Sequence, residues 1–126
     1  MLPRKENIIQ DKTSAYAIRI IRLYQYLTNV KHEQTISRQI LRSGTSIGAN
    51  TAESRNAQSR ADFVNKLNIA LKEADETAFW LKTLYGGNYI TERQLQSMLA
   101  DNTEIIRILV KIIKTSKERM SLDNNG

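Results

Sequence analysis

The scarcity of histidine and cysteine limits the catalytic chemistry open to this chain of 126 residues. His32 is the only histidine, and the sequence predicts that it lies in a turn between two helices. A serine hydrolase needs a histidine that is buried and oriented beside its serine, which such a turn does not provide. An enzyme that uses Ser43, Ser46 or His32 is therefore the least favoured hypothesis. We predict a protein that is not an enzyme and has no catalytic residues.

Residues that could bind a metal or a cofactor are also scarce. The chain has no cysteine and one histidine, so it offers neither a thiolate site nor a histidine-rich site. The Glu-x-x-His repeats of di-iron helical bundles are absent. Residues 43–48, SGTSIG, lack the Gly-Lys-Ser/Thr end of a phosphate-binding P-loop, and no predicted strand precedes them. We predict neither a metal ion nor a cofactor.

Basic side chains are the strongest chemical signal. The chain has 19 Lys and Arg against 13 Asp and Glu, which gives a net charge of +6. Residues 1–31 carry six basic and two acidic groups, and residues 107–119 carry five basic groups and one acidic group. A positive excess favours polyanions such as nucleic acids, and it is equally typical of an ordinary solvated surface.

We predict that the basic surface binds RNA or DNA through phosphates, without strong readout of the base sequence. Few aromatic side chains lie near the basic groups: Tyr16, Tyr24 and Tyr26 are the only ones that could stack on bases, and most of them are expected in the core. Phosphate contacts alone depend on charge and not on base sequence. The candidate nucleic-acid-binding residues are Arg19 and Arg22 on the first helix, Arg38 and Arg42 on the second, and Arg107, Lys111 and Lys114 on the fourth.

Four predicted helices position these residues, at about 11–29, 33–55, 59–86 and from 91 onwards. The short connections favour an all-α, up-down-up-down antiparallel four-helix bundle. We expect one domain over residues 1–126, with flexible ends at 1–9 and 121–126. The expected core positions are Ala17, Ile20, Ile21, Tyr24 and Leu27 on the first helix; Phe63, Leu67, Ala70, Ala74, Ala78, Leu81 and Tyr85 on the third; and Leu95, Met98, Leu99, Ile105, Ile106, Leu109 and Ile113 on the fourth.

Local signals mark the ends of the third and fourth helices. Ser59 and Asp62 stand at the spacing of a capping box, in which side chains bond to the first free amides of a helix. Thr91 and Gln94 repeat this pattern, and residues 86–87, Gly-Gly, favour the end of the third helix.

The second helix contains residues 39–54, QILRSGTSIGANTAES, which are rich in small and polar residues. Residues of this kind weaken a helix by up to about 1 kcal/mol each. Gly44 and Gly48 lie on adjacent turns, and they predict a close approach of another backbone.

On the fourth helix, Asn102 falls within the apolar stripe, where burial is costly unless the side chain is paired. We expect Asn102 to set the register between helices, with the lining of a polar channel as the alternative.

Apolar residues outside the expected core predict self-association. Ile69, Trp80 and Leu84 lie on a common side of the third helix, and Ile18 points away from the core of the first. An exposed patch centred on a tryptophan is typical of a protein interface. We expect a homo-oligomer whose interface residues are Arg42, Glu53, Ile69, Trp80 and Leu84. Arg42 and Glu53 are expected to form an ion pair, between helices or between subunits. A structural or adaptor protein that works through such interfaces is the alternative to nucleic-acid binding.

The cellular compartment is predicted from what the sequence lacks. No apolar run approaches the roughly 18 residues of a membrane span. Residues 1–12 do not contain the long apolar core of a signal peptide. A composition without cysteine suits the cytoplasm. We therefore predict a cytoplasmic protein with no membrane partner.

Two groups of residues resemble a known family: Gln39, Arg42, Ser46, Ile47, Asn50, Ala52 and Glu53, followed by Phe63, Leu67, Ile69, Ala70 and Glu76. They resemble the four-helix-bundle family encoded in intervening sequences of bacterial large-subunit ribosomal RNA genes, which often carries a ribosomal-protein-like label. The chain is also similar to the accessory protein of diversity-generating retroelements. The resemblance spans roughly residues 16–113. It departs at Gly48, where the family usually has Pro, and at Ser54, where it usually has Gly.

This resemblance implies a small bundle that assembles into a ring, commonly a pentamer. For the retroelement relatives it also implies a basic outer surface that binds nucleic acid, and a reverse transcriptase as partner. The adaptor hypothesis includes a partner of that kind.

Overall fold

The computed structural model describes the backbone of residues 4–125 and the side chains of residues 7–123. It consists of four helices, α1 (Arg4–Asn29), α2 (Ile36–Ser54), α3 (Arg60–Gly86) and α4 (Glu92–Asn125). Each helix packs against the next one in the chain, and α1 also packs against α4. Among the described residues, α1 does not approach α3 and α2 does not approach α4, so each of these pairs is diagonal. This confirms the predicted all-α, up-down-up-down bundle.

Two helix ends differ from the prediction. Helix α1 begins at Arg4, about two turns before residue 11, and the buried side chain of Ile9 explains why these turns are retained. Helix α4 continues to Asn125, because no Gly or Pro lies between Gly87 and Gly126 to end it. Residues 4–9 and 121–125, expected as parts of flexible ends, are therefore helical. Residues 1–3 and 126 lie outside the described residues.

The capping signals in the sequence are confirmed at two helix starts. The hydroxyl of Ser59 accepts a hydrogen bond from the backbone amide of Asp62 at 3.0 Å, and the Asp62 carboxylate accepts one from Gln58 N at 3.2 Å. At the start of α4, Gln94 N donates to the Thr91 hydroxyl at 3.1 Å, and Thr91 N donates to Gln94 Oε1 at 2.8 Å. These bonds satisfy amides that have no partner within the helix.

The start of α2 is capped by a residue that lies before the helix. The carboxylate of Glu33 accepts hydrogen bonds from the backbone amides of Ser37 at 2.7 Å, Ile36 at 3.1 Å and Thr35 at 3.2 Å. Burial raises the pKa of Glu33, but these three bonds lower it further than burial raises it, so its pKa lies below the ordinary value. Helix α2 therefore begins at Ile36, three residues after the predicted start, with an ionised side chain as its cap.

Buried positions follow a seven-residue repeat in all four helices. They recur in steps of three and four, which is the 3.5-residue period of knobs-into-holes packing. The repeat runs through Ile9, Thr13, Tyr16, Ile20 and Leu27 on α1; Ser37, Ile40, Gly44, Ile47, Thr51 and Ser54 on α2; Leu67, Ala70, Ala74, Thr77, Leu81 and Leu84 on α3; and Leu95, Met98, Asn102, Ile105, Leu109, Ile112 and Ser116 on α4.

This period corrects the predicted core at several positions. Ile21 and Tyr85, predicted to be buried, are each 41% exposed. Leu84, predicted to lie off the core, is 0% exposed. On α3 the predicted stripe assumes about 3.6 residues per turn, whereas the buried positions keep 3.5 residues per turn, so at the end of the helix Leu84 and not Tyr85 is buried. On α1, Ile21 lies one position beyond the buried Ile20, at the edge of the stripe. The remaining predicted core residues of the three helices are buried or half-buried.

The small residues of α2 allow the close approach that the sequence predicts. A Cβ atom added to Gly44 would lie 2.6 Å from the Ile20 side chain on α1, and one added to Gly48 would lie 3.2 Å from the Thr13 carbonyl oxygen. On the other side, the buried hydroxyls of Ser43 and Thr77 are 2.9 Å apart. Helix α2 is therefore held closely between α1 and α3.

Asn102 pairs with a neighbouring helix, as its place in the stripe predicts. Its side-chain amide nitrogen donates to the Ala74 carbonyl oxygen on α3 at 3.0 Å, and the whole side chain is buried. The Oδ1 atom has no hydrogen-bond partner among the described residues. Burial of a polar atom is costly without a partner, so the bond to α3 favours one axial alignment of the two helices.

Replacing Gly44 with Ala tests the close approach of α1 and α2. Alanine favours a helix by about 1 kcal/mol over glycine, but its methyl group would overlap Ile20, and overpacking a core costs about 1–3 kcal/mol. We expect Gly44→Ala to lower the free energy of unfolding, measured in urea. The control is Gly86→Ala, where a Cβ meets nothing within 4 Å, and stability should stay equal or rise. Equal stability of the two variants would contradict the packing described here.

Replacing Glu33 with Gln tests the cap of α2. The pKa of Glu33 is lower in the folded chain than its ordinary value of 4.5, so the ionised carboxylate stabilises the fold above that value. This contribution is lost as the pH falls through the folded pKa. We expect Glu33→Gln to cost about 1 kcal/mol at neutral pH and progressively less in acid, measured by urea unfolding at a series of pH values. The control Glu118→Gln, at an exposed position of α4, should change stability by less than about 0.5 kcal/mol at every pH.

Candidate nucleic-acid interface

The seven cations predicted to bind nucleic acid do not form one surface. Five of them belong to α1 and α4, which pack against each other, and these are Arg19, Arg22, Arg107, Lys111 and Lys114. The other two, Arg38 and Arg42, belong to α2, which is diagonal to α4. The bundle topology therefore separates the two cations of α2 from the five cations of α1 and α4.

A groove between α1 and α4 brings three arginines together. It is open to solvent, and we call it the basic groove; its lining residues are Arg19, Arg22, Leu23, Tyr26, Arg93, Gln94, Ser97 and Met98. The two helices are tied beside it by Tyr16, whose hydroxyl donates to the Met98 carbonyl oxygen at 3.1 Å. Burial, with a smaller contribution from the Asp101 carboxylate, raises the pKa of Tyr16, so this phenol stays a neutral donor.

Arg19 lies at one end of the basic groove and is held by α4. Its guanidinium group donates to the Asp101 carboxylate at 2.6 Å, to the Ser97 hydroxyl at 2.9 Å and to the Ser97 carbonyl oxygen at 3.3 Å. Much of its charge is therefore compensated within the chain. By contrast, Arg22 and Arg93 have no ion-pair partner in the part of the chain that the structure describes.

A second group of cations lies further along α4. Arg107, Lys111 and Lys114 recur at one-turn spacing and are exposed, and we call them the basic ridge. They span about 10 Å at 1.5 Å per residue. No described carboxylate lies within ion-pair distance of them, and the neighbouring acid Glu104 is paired with Lys12 of α1. The ridge therefore presents positive charge that the described residues do not neutralise.

Arg42 is used within the chain. Its guanidinium group forms ion pairs with Glu73, at 3.1 Å, and with Glu76, both on α3. Glu76 also accepts a hydrogen bond from the Trp80 indole nitrogen at 3.0 Å. Arg42 thus forms an ion pair between helices, but its partners are two carboxylates of α3 and not Glu53. The sequence signal for these partners is the spacing of Glu73 and Glu76, which lie three residues apart on one helix.

Arg38 is the remaining predicted contact on α2. Its Nε atom donates to the Gln34 carbonyl oxygen at 2.8 Å, and its side chain is exposed. It lies apart from both the basic groove and the basic ridge, because α2 is diagonal to α4.

The apolar residues predicted at an oligomer interface divide in a similar way. Leu84 is fully buried, so its predicted place on an outer surface is wrong. Ile69 and Trp80 are half-buried, and Glu53 is exposed. The ring of Trp80 meets the ring of Phe79 edge to face, with centroids 5.0 Å apart.

Exposed large apolar side chains occur on three helices. On α1, Ile18 is 53% exposed and Ile21 is 41% exposed; on α3, Phe79 is 59% exposed and Tyr85 is 41% exposed; and on α4, Val110 is 46% exposed and Leu122 is 71% exposed. Ile18 is the residue that the sequence places off the core, whereas Ile21 is predicted to be buried and Phe79 is not among the predicted interface residues. Because α1 and α3 are diagonal, the exposed residues of these two helices mark two opposite faces of the bundle.

The candidate catalytic residues do not form a constellation. His32 lies in the turn before α2, exposed and with a φ angle of 55°. Ser43 is buried about two turns inside α2 beside Thr77, and the Ser46 hydroxyl donates to the Arg42 carbonyl oxygen at 2.6 Å. Within the described residues, no three His, Cys, Asp or Glu side chains are grouped so that they could hold a metal ion.

None of the helices, over the residues described, has both the length and the apolar character needed to cross a membrane.

Comparisons with known proteins relate this bundle to one family. Residues 5–111 match the family model described as 23S rRNA-intervening sequence protein. Among solved structures, the chain is similar to a crystal structure at 1.70 Å resolution of a protein with unknown function from the S23 ribosomal protein family of Bacteroides thetaiotaomicron VPI-5482. The two share 55% sequence identity and a TM-score of 0.87, over 87% of this chain and 98% of that chain. Curated proteins give no match.

Proposed function

The chain belongs to the 23S rRNA-intervening sequence protein family, and we propose that it is a non-enzymatic bundle that binds RNA through α1 and α4. DNA is the alternative ligand, because the same charges would bind the phosphates of either nucleic acid. The fold and the family carry no statement about ligands, so the proposal depends on the charges of this chain.

One observation supports this proposal above the others. Arg22 and Arg93 beside the basic groove, and the three cations of the basic ridge, lack ion-pair partners among the described residues. Arg19 and Arg42, by contrast, are paired with carboxylates of a neighbouring helix. Cations without carboxylates nearby can neutralise phosphates and release their counterions, which is the main source of affinity for nucleic acids. Contacts of this type position the ligand and do not read its sequence.

Replacing the three ridge cations tests RNA binding. We expect the triple variant Arg107→Gln, Lys111→Gln, Lys114→Gln to bind a short RNA duplex more weakly at low salt. The slope of log affinity against log salt should become less negative, by up to about 0.9 for each lost phosphate contact. Fluorescence anisotropy across a salt series measures both quantities.

A variant with the same loss of charge outside the ridge and the groove is the control. Arg38→Gln, Lys72→Gln and Lys82→Gln remove three exposed cations from α2 and α3. This control should keep the slope of the unmodified protein, because none of its cations belongs to the basic ridge or lines the basic groove. Equal losses in the two triple variants, or no binding by the unmodified protein at low salt, would overturn the proposal.

We also propose that the chain assembles head to tail with its own copies. The exposed apolar groups of Ile18 and Ile21 on α1, and of Phe79 on α3, lie on opposite faces of the bundle. When one face contacts a different face of the next copy, the assembly closes into a ring if the rotation between copies allows it. The resemblance to ring-forming relatives points in the same direction. If assembly is the whole function, the chain is an adaptor, and the ridge variants would change no RNA binding.

Mixing two variants tests the head-to-tail arrangement. We expect Ile18→Ser with Ile21→Ser, and separately Phe79→Ser, to convert the assembly to monomers, because each removes one of the two unlike faces. An equal mixture of the two should then form dimers, because one intact face remains on each variant and these two faces are complementary. Sedimentation velocity measures these masses. The control Val30→Ser, at an exposed apolar residue in the turn after α1, should assemble normally. A mixture that stays monomeric would exclude this arrangement.

A further inference from the structure

The basic groove differs from the basic ridge because an aromatic side chain lies among its cations. Tyr26 lines the groove beside Leu23 and Met98, and Arg22 and Arg93 contribute from the two helices. The ridge belongs to α4, which contains no aromatic residue. The groove therefore offers a stacking surface as well as charge, and the ridge offers charge alone.

Tyr26 is not fully used by the fold. Its side chain is half-buried, whereas that of Tyr16 is buried on the same helix. The Tyr16 hydroxyl donates to the Met98 carbonyl oxygen at 3.1 Å, but the Tyr26 hydroxyl has no hydrogen-bond partner among the described residues. Part of the Tyr26 ring and its polar end are therefore free to contact a ligand.

Polar groups in the groove complete the surroundings of Tyr26. Gln94 uses its Oε1 atom to accept from Thr91 N at 2.8 Å, which orients the amide. Its Nε2 atom has no described partner and can donate to a ligand. At the other end, Arg19 is held by Asp101 and Ser97, so this wall of the groove is rigidly positioned. The groove thus combines a partly free aromatic ring, a free amide donor and two uncompensated guanidinium groups.

We propose that the basic groove binds an unpaired base of single-stranded RNA, with the base stacked on Tyr26 and the adjacent phosphates bound by Arg22 and Arg93. This inference rests on the proposed function and deepens it, because it names the form of RNA that this part of the surface selects. Unpaired bases can leave the strand and stack on aromatic side chains, while the bases of a duplex are stacked on each other. Duplex RNA binds the basic ridge through its phosphates, but its bases are stacked within the duplex and none of them enters the groove.

Removing the base from the ligand tests the groove without changing the protein. The probes are a short oligouridine labelled with fluorescein, the same strand with abasic sites, and an RNA duplex of equal charge. The unmodified chain should bind oligouridine about tenfold more tightly than the abasic strand, because the phosphates are the same and only stacking is lost. Equal affinity for the two single strands would overturn the proposal.

Variants of Tyr26 test the same contact from the protein side. Tyr26→Leu, which keeps an apolar side chain, should weaken binding of oligouridine about tenfold and change binding of the duplex by less than about twofold. Tyr26→Phe keeps the ring and should bind oligouridine nearly as well as the unmodified chain. Thermal unfolding followed by circular dichroism checks that both variants are folded, and the abasic strand decides the question if Tyr26→Leu is not. Equal binding of oligouridine by both folded variants would overturn the proposal.

The ridge variant separates failure of the groove from failure of the proposed function. Under the groove proposal, Arg107→Gln, Lys111→Gln, Lys114→Gln lowers binding of single-stranded and duplex RNA alike. If this variant binds RNA more weakly, while neither the abasic strand nor Tyr26→Leu changes the affinity, the groove proposal fails. RNA binding by the basic ridge is then still supported. If the unmodified chain binds none of the three probes at low salt, both proposals fail.

Discussion

The heptad spacing of the four helices determines both the core and the surface of this bundle. Because core positions recur every 3.5 residues, each helix keeps one line of side chains against its neighbours along its whole length. The same 3.5-residue spacing decides which side chains remain exposed to solvent. On α1 it leaves Ile18 and Ile21 outside, and on α3 it buries Leu84 and exposes Phe79. On α4 it leaves a long outer side on which cations can accumulate.

Features that depend on near neighbours in the chain could be predicted from the sequence. The caps at Ser59 and Thr91, and the order of the four helices, depend on residues a few positions apart. The close approach at Gly44 was also predictable, because such small residues are unfavourable in a helix without a packing reason. The error at Leu84 comes from a small difference in period that accumulates along α3, which a single helix drawn alone does not reveal. Ile21 lies beside the buried Ile20 at the edge of the stripe, and only the packing of the neighbouring helices shows that it is exposed.

Features that depend on which helices are neighbours could not be predicted in the same way. Arg42 finds Glu73 and Glu76 only because α2 lies against α3 in one axial alignment. Tyr26 borders a cationic groove only because α1 lies against α4, whereas the sequence alone places most of Tyr16, Tyr24 and Tyr26 in the core. Helix packing therefore divides the charged residues into those that join helices and those that remain available. The sequence predicts Arg22 and the three ridge cations of the candidate site, but the place of Tyr26 beside Arg22 and Arg93 depends on the tertiary structure.

The diagonal placement of α1 and α3 has a consequence for the geometry of a ring. If α1 and α3 face the neighbouring copies, then α2 and α4 lie on opposite surfaces of the ring, since they are diagonal too. All copies of α4 would lie on one surface of the ring, and all copies of α2 would lie on the opposite surface. Positive charge would then form a continuous belt, and one RNA strand could engage several subunits at once. Avidity of this kind allows weak individual contacts to yield tight overall attachment, and it makes retention of the strand depend on its length.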